Sequence, residues 1–334
     1  MESEKRTLLA NGIIAGHRQI TEAEALELLG TSEEQCPGLF QDADRIREKF
    51  RGKKIHLCAI SNIKSGRCSE DCGFCSQSAH VKTGIPEYDL LPETKIIEEV
   101  ERAKEEGAKA LGLVAAWKGL KEGKILDQIC ERIKLIVAKN GPRADASLGI
   151  ISESKVAHRL RQAGLHCYNH NLETAPSYFN NICKTHSFEE RLQTLKYCRQ
   201  AGLKICSGGI IGMGESLKQR VELAFVLKDL NPDMLPLNFF NPIEGTQLVE
   251  EGTYQNLDPL ECLKTIAMFR FVLPKSNIMV AGGREVNLKE EQSKMFTAGA
   301  SATMVGNYLT TSGRNAKDDL KMIRDLGLTP DGEL

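Results

Sequence analysis

Eight short apolar runs, each followed by an amphipathic stretch, predict an α/β chain folded as a (β/α)8 barrel of the TIM type. A second observation favours the closed barrel over an open doubly wound sheet, because no Gly-x-Gly-x-x-Gly opens the first unit as a dinucleotide fold would. A third is the polar, helix-patterned stretch over the first 50 or so residues, which predicts an N-terminal helical extension. The expected division is therefore an extension over 1–53, the barrel over 54–328 and a C-terminal tail over 329–334.

In the extension, Thr21 and Glu24 have the spacing of a capping box and open a short apolar-periodic stretch that Gly30 ends. Strands are expected at 55–61, 110–116, 144–149, 167–172, 204–211, 234–241, 277–282 and 302–305. Helices are expected between them at 93–106, 125–139, 153–163, 188–201, 217–230, 260–271, 288–298 and 317–326. The segments EEGAKALGLV, RQAGLHCYN, RQAGLKICS and TAGASATMV each place a glycine where the chain leaves a helix for the next strand. In such a barrel, chemistry belongs at the C-terminal ends of the strands and in the loops that follow.

The 334 residues carry 44 Lys+Arg against 45 Asp+Glu, a formal net charge of −1. That balance gives no basic footprint for nucleic acid and no electrostatic attraction to an anionic membrane. No run approaches the roughly 18 apolar residues of a membrane span. The start MESEKRTLLANGIIAGHRQ lacks the apolar core and cleavage site of a signal peptide, so a cytoplasmic protein is expected. The 11 cysteines, an odd number in a reducing compartment, then point to metal or redox chemistry and away from a disulfide framework.

Cys68, Cys72 and Cys75 stand in GRCSEDCGFCSQS, a C-x3-C-x2-C spacing in the loop after the first strand. A zinc site wants four ligands, and the only local fourth donor is His80. Three thiolates on one short loop suit a [4Fe–4S] cluster with one iron left open for a ligand that brings its own donors.

With Phe74 before the third cysteine, this loop resembles that of the radical S-adenosylmethionine (SAM) superfamily. Around it, SNIKSGRCSEDCGFCSQSAH, VAAWKG, YNHNLETAPSYF, THSFEERL, CSGGIIGMGE, PLNFFNPIEGT, AGGREVNL and VGNYLTT resemble, in order and spacing over 54–327, the biotin synthase family. The resemblance implies a homodimeric barrel that inserts one sulfur between two saturated carbons of dethiobiotin, consuming two SAM. It implies that the open iron chelates SAM, whose reductive cleavage yields a 5′-deoxyadenosyl radical. A flavodoxin or ferredoxin electron donor and the iron–sulfur assembly machinery are the implied partners.

The same resemblance assigns Asn169 and Asn171 to SAM and the ureido ring of the substrate, Glu173 to the SAM ribose, Asn238 to the ureido ring and Arg191 to the SAM carboxylate. Chemically these roles are sound, because a carboxylate accepts from ribose hydroxyls and an amide both donates to and accepts from a cyclic urea. Asn169, Asn171 and Glu173 are two apart and share one strand face, which leaves Tyr168 and His170 as packing residues on the other. A turn-forming Asn pair, and for Arg191 a solvated helix-surface pair, are the plainer readings. Gly208, Gly209 and Gly212 are expected to let backbone approach the adenine.

One departure stands out. The common form of the family holds an auxiliary [2Fe–2S] cluster through three cysteines and an arginine, and here Gly112 and Asp145 occupy two of the cysteine positions. Only Cys206 and Arg284 remain, and neither glycine nor carboxylate replaces a thiolate. A different reaction, an inactive relative or a differently ligated sulfur donor would each explain this; the retained asparagines and Arg284 favour the last. Cys130, Cys198 and Cys262 fall on apolar helix positions, Cys36 beside a Pro-Gly turn, and Cys167 towards the lower end of its strand. The expectation is therefore that Cys58, Cys183 and Cys206 hold a second, auxiliary iron–sulfur cluster, of four-iron type, as sulfur donor. A radical SAM maturase or mutase with a single cluster, and a non-enzymatic zinc-binding barrel, are the alternatives.

Overall fold

The computed structural model describes residues 1–331. In chain order the strands are β1 (Lys54–Lys64), β2 (Ala110–Ala115), β3 (Gly119–Leu120), β4 (Arg143–Ser147), β5 (Ile150–Ile151), β6 (Cys167–Asn169), β7 (Lys204–Cys206), β8 (Gly209–Ile211), β9 (Met234–Phe239), β10 (Asn277–Val280), β11 (Ala302–Met304) and β12 (Thr329–Pro330). All pair in parallel, in the order β1-β2-β4-β6-β7-β9-β10-β11, and β11 pairs back onto β1. That ring is a closed eight-position barrel with helices outside it, the arrangement that β-then-α alternation requires.

The strand expected at 204–211 is broken into β7 and β8, and both halves pair with β9. The break has a steric cause: a Cβ on Gly208 would overlap the Pro236 carbonyl, and one on Gly209 would lie 2.7 Å from the Glu173 carbonyl oxygen. The helix expected at 288–298 is also interrupted, into Arg284–Leu288, a 3-10 turn Lys289–Ser293 and Lys294–Thr297, because Lys289 takes a left-handed φ of 50°. The expected tail is corrected in part. Thr329 and Pro330 form β12 alongside Lys54 and Ile55, and Asp331 accepts at 3.2 Å from the His56 ring, so a boundary at 328 cuts through the floor of the barrel.

Three helices, Ser3–Ala15, Glu22–Leu29 and Cys36–Arg51, make up the extension, with Thr21 and Glu24 closing a reciprocal capping box. The second and third cover the outer side of the helix Pro259–Val272 and the first packs on the third, which is why Pro259–Val272 carries ten buried residues. One of the ten is Arg270, whose guanidinium donates to the carbonyls of Gly299 (2.8 Å), Pro274 (2.9 Å) and Ser276 (2.8 Å). Arg270→Leu strands these buried acceptors. A loss of at least about 3 kcal/mol is expected, at roughly 1–3 kcal/mol for each buried group left unsatisfied, and urea unfolding measures it.

Candidate active site

The barrel opens at its C-terminal rim into a cavity of about 400 Å³. The loop after β1 delivers Cys68, Cys72 and Cys75 to its wall. Two backbone bonds clip that loop shut, from the Cys68 amide to the Gln77 carbonyl (3.0 Å) and from the Ala79 amide to the Cys68 carbonyl (2.7 Å), and Cys75 N–H turns back onto Cys72 (2.9 Å). Burial pushes the Cys75 thiol up to about 11 and raises that of Cys68, so metal uptake must displace protons. His80 is exposed and its Nε2 lies 3.1 Å from the Ser69 carbonyl, off the cavity wall, so it does not complete a zinc set.

Asn169, Asn171, Glu173, Arg191 and Asn238 line the same cavity. Glu173 has a left-handed φ of 69°, a strained setting for a residue with a side chain. Its carbonyl accepts from the Ile210 amide at 2.7 Å, which needs the bare backbone of Gly209 beside it. Arg191 sits in the first turn of the helix Phe188–Gln200, whose start is pinned by a Ser187/Glu190 capping box. It is buried and donates from Nη1 to Glu173 Oε1 (3.1 Å) and to the Asn171 carbonyl (2.8 Å), so the solvated-pair reading falls. Asn238 donates to the Gly209 carbonyl and accepts from Gly282 N–H (2.9 Å), which fixes its amide between two strands.

Among the described residues, Asn171 Oδ1 and Glu173 Oε2 are buried acceptors with no hydrogen-bond partner. Burial raises the Glu173 pKa while Arg191 and His186 pull it down. A ligand bringing hydroxyl or N–H donors, such as a ribose or a cyclic urea, would satisfy both orphans. With three thiols lining the same cavity, the donor set fits a three-cysteine [4Fe–4S] cluster and SAM.

Several placements differ from expectation. Strand alternation lapses after Asn169, where β6 ends, so His170 also lines the cavity with Nε2 buried and unpartnered, while Tyr168 packs outward and donates to the Gly149 carbonyl (2.7 Å). Gly212 is off the cavity wall; its amide donates to Glu215 at 2.9 Å, and it and the pair before it serve close chain packing. Arg284 is likewise turned away: Asp319, fully buried, takes it bidentately at 3.1 and 2.6 Å, and Tyr308 stands between it and the cavity, 3.2 Å from its Nε.

The trio Cys58, Cys183 and Cys206 is not brought together. Cys183 sits in the loop after β6, 3.9 Å from Cys72 and 3.2 Å from Asp71 Oδ1, because that loop folds onto the cysteine loop. Cys58 and Cys206 do meet, but with Cys167, in an apolar layer below the cavity that includes Met234, Met279 and Met304. Ile60, Met279 and Met304 belong both to this layer and to the cavity wall. Gly112 and Asp145 are neighbours in register at the same level; Ile60 fills the space beside Gly112, and Arg143 pairs with Asp145 at 3.3 Å. Burial still pushes Asp145 up to about 6 and Cys58 up to about 12. Cys72, Cys183 and His186 offer donor atoms within 4.8 Å of one another, yet both ring nitrogens of His186 are engaged, by Glu70 (2.6 Å) and Arg191 (3.0 Å).

Residues 62–227 match the Radical SAM superfamily and residues 236–329 the Biotin and Thiamin Synthesis associated domain. The chain is 48% identical over 318 residues to the biotin synthase of Geotalea uraniireducens, covering 95% of each. It is 46% identical to that of Pelotomaculum thermopropionicum, covering 93% of this chain and 95% of the relative. Among solved structures, methylornithine synthase superposes with a TM-score of 0.82 at 20% identity, covering 96% of this chain and 97% of the other, a likeness of fold. A maturase of the [FeFe]-hydrogenase gives 0.82 at 18%, covering 100% of this chain and 77% of that one. Sequence identity over nearly the whole length places the chain in the biotin synthase family of radical SAM proteins.

Proposed function

We propose that this protein converts dethiobiotin to biotin by radical SAM sulfur insertion. The observation that carries the reading is the pair of orphaned acceptors, Asn171 Oδ1 and Glu173 Oε2, beside a cavity that Cys68, Cys72 and Cys75 also line. Cys68, Cys72 and Cys75 would hold a [4Fe–4S] cluster, and the chemistry it would supply is one-electron reduction of SAM for hydrogen abstraction from saturated carbon. Arg191 offers its planar guanidinium to the SAM carboxylate. Glu173 accepts from the ribose hydroxyls. Asn169, Asn171 and Asn238 hold the ureido ring, and the fixed amide of Asn238 helps set which carbon of the substrate faces the cysteine loop. The closed barrel wall keeps water from the site.

The sulfur source belongs to the same reading. Cys58, Cys167 and Cys206, soft thiolates in a layer shared with the cavity wall, would hold an auxiliary iron–sulfur cluster, and that cluster's inorganic sulfide would be the source of the inserted sulfur. Cys167 takes the place that Cys183 was expected to fill. A flavodoxin or ferredoxin as electron donor and a homodimeric assembly complete the proposal.

The test is anaerobic iron and sulfide content of wild type against the triple variant Cys68/Cys72/Cys75→Ala, followed by a dethiobiotin-to-biotin assay. The variant is expected to keep part of its iron and sulfide and to form no biotin. Complete loss of iron would favour a single-cluster radical SAM enzyme.

A further inference from the structure

His186 lies between the cysteine loop and the helix that bears Arg191. Its Nδ1 is 2.6 Å from Glu70 Oε2, and its Nε2 is 3.0 Å from Arg191 Nε. A guanidinium N–H only donates, so Nε2 must accept, and the ring proton sits on Nδ1 facing Glu70. Arg191 Nη1 is in turn held by Glu173 and the Asn171 carbonyl. Glu70, His186, Arg191 and Glu173 thus form one buried chain from the cysteine loop to the cavity wall. With Nε and Nη1 taken, Nη2 is the arm of the guanidinium that has no protein hydrogen bond among the described residues.

The anchor of this chain is the cysteine loop itself. Glu70 and Asp71 lie between Cys68 and Cys72. Asp71 Oδ1 accepts from the Lys184 amide (3.0 Å) and the Thr185 amide (3.1 Å), and Glu70 Oε2 also meets Thr185 Oγ1 (2.9 Å). The segment leading to His186 is therefore clasped to the loop that carries the thiols. The Phe179 ring packs edge-on against the imidazole at 5.7 Å and lies 5.6 Å from the Arg191 guanidinium carbon, which limits both side chains to this pose.

We propose that His186 is a positioning residue that aims the free Nη2 arm of Arg191 at the SAM carboxylate, and that the Glu70–His186–Arg191 clasp couples SAM affinity to the fold of the cysteine loop. This rests on the reading of Arg191 given above. The clasp acts on binding of SAM and leaves the cysteines' own hold on iron to the loop.

Two isosteres separate its halves. His186→Asn places an amide nitrogen where Nδ1 stands, keeping the Glu70 bond and losing the acceptor for Arg191. His186→Gln carries an amide oxygen to the place of Nε2 and keeps that acceptor. On cluster-loaded protein under anaerobic conditions, SAM Kd is measured by equilibrium dialysis per mole of cluster, with the SAM-induced change in the EPR spectrum of the reduced cluster as a second readout. The Asn variant is expected to bind SAM about tenfold or more weakly, the loss typical of a hydrogen bond to a charged group, and the Gln variant, which keeps the acceptor but loses the Glu70 link, to bind with a Kd between that of H186N and wild type. The double variant H186N/R191A should bind no more weakly than R191A, since both remove one interaction. Equal losses in the Asn and Gln variants, additive losses in the double variant, or a wild-type Kd for H186N would overturn the clasp. An Asn variant that takes up no iron would also overturn it, by showing that His186 builds the loop itself. R191A with a wild-type Kd would sink the reading of Arg191 and the clasp together; a weakened R191A beside an unchanged H186N sinks the clasp alone.

Discussion

Cys167→Ala is expected to abolish biotin formation while SAM is still cleaved reductively. The thiol lies in the layer with Cys58 and Cys206, below the cavity and on a different wall from Cys68, Cys72 and Cys75, so its loss leaves the radical-generating loop intact. Anaerobic iron and sulfide should fall by the share of one cluster, and 5′-deoxyadenosine should still appear with reductant and SAM. Cys183→Ala is the matched control. That thiol touches Cys72, Asp71 and His186 and is far from the lower layer in the contacts it makes, so its removal should spare the iron held below. A Cys167 variant with full iron and wild-type biotin formation would remove the auxiliary-cluster assignment.

Asp319→Ala is expected to be the most destabilising single carboxylate deletion in the chain. Arg284 and Asp319 are almost fully enclosed, at 1% and 0% exposure, and bond bidentately. Breaking such a pair from one side costs about 3–5 kcal/mol, and here Glu285, 3.2 Å from Arg284 Nε, offsets part of the stranded charge and puts the loss towards the lower end. Denaturant titration of the single variant reads it, and the double variant Arg284→Met/Asp319→Leu should recover much of the loss by replacing both charges with apolar volume. A change in Asp319→Ala below about 1 kcal/mol, the range of an exposed ion pair, would show that the pair is not closed to solvent.

These two experiments probe the places where sequence and structure part. The alternation of strands and helices was legible, because period-two and period-3.6 apolar patterns and glycine helix exits are local properties of the chain. The cysteine loop was legible for the same reason, its three thiols being fixed by spacing alone. Depth inside the barrel was not. The sequence placed Cys167 towards the lower end of its strand and set it aside for that reason, whereas the fold gathers Cys58 and Cys206 with it in that same lower layer. Cys183 is drawn aside by Asp71, a contact between residues more than a hundred positions apart that no local pattern carries. Likewise Arg284 kept its identity while its partner Asp319, from the last long helix, turned it away from the cavity. One missed signal was present: Ser187 and Glu190 have capping-box spacing, which fixes where the helix Phe188–Gln200 begins and so that Arg191 sits in its first turn.

The seam where β11 and β12 join β1 bears on how the chain acquires its shape during synthesis. β1 emerges well before Ala302–Met304 and Thr329–Pro330, which complete its outer edge. Until they arrive, Lys54–Cys58 offer unpaired backbone to any other nascent chain. Vectorial folding of this barrel is thus a race between closure and edge-to-edge association, and late truncations should reveal themselves first as aggregation of the newly made polypeptide.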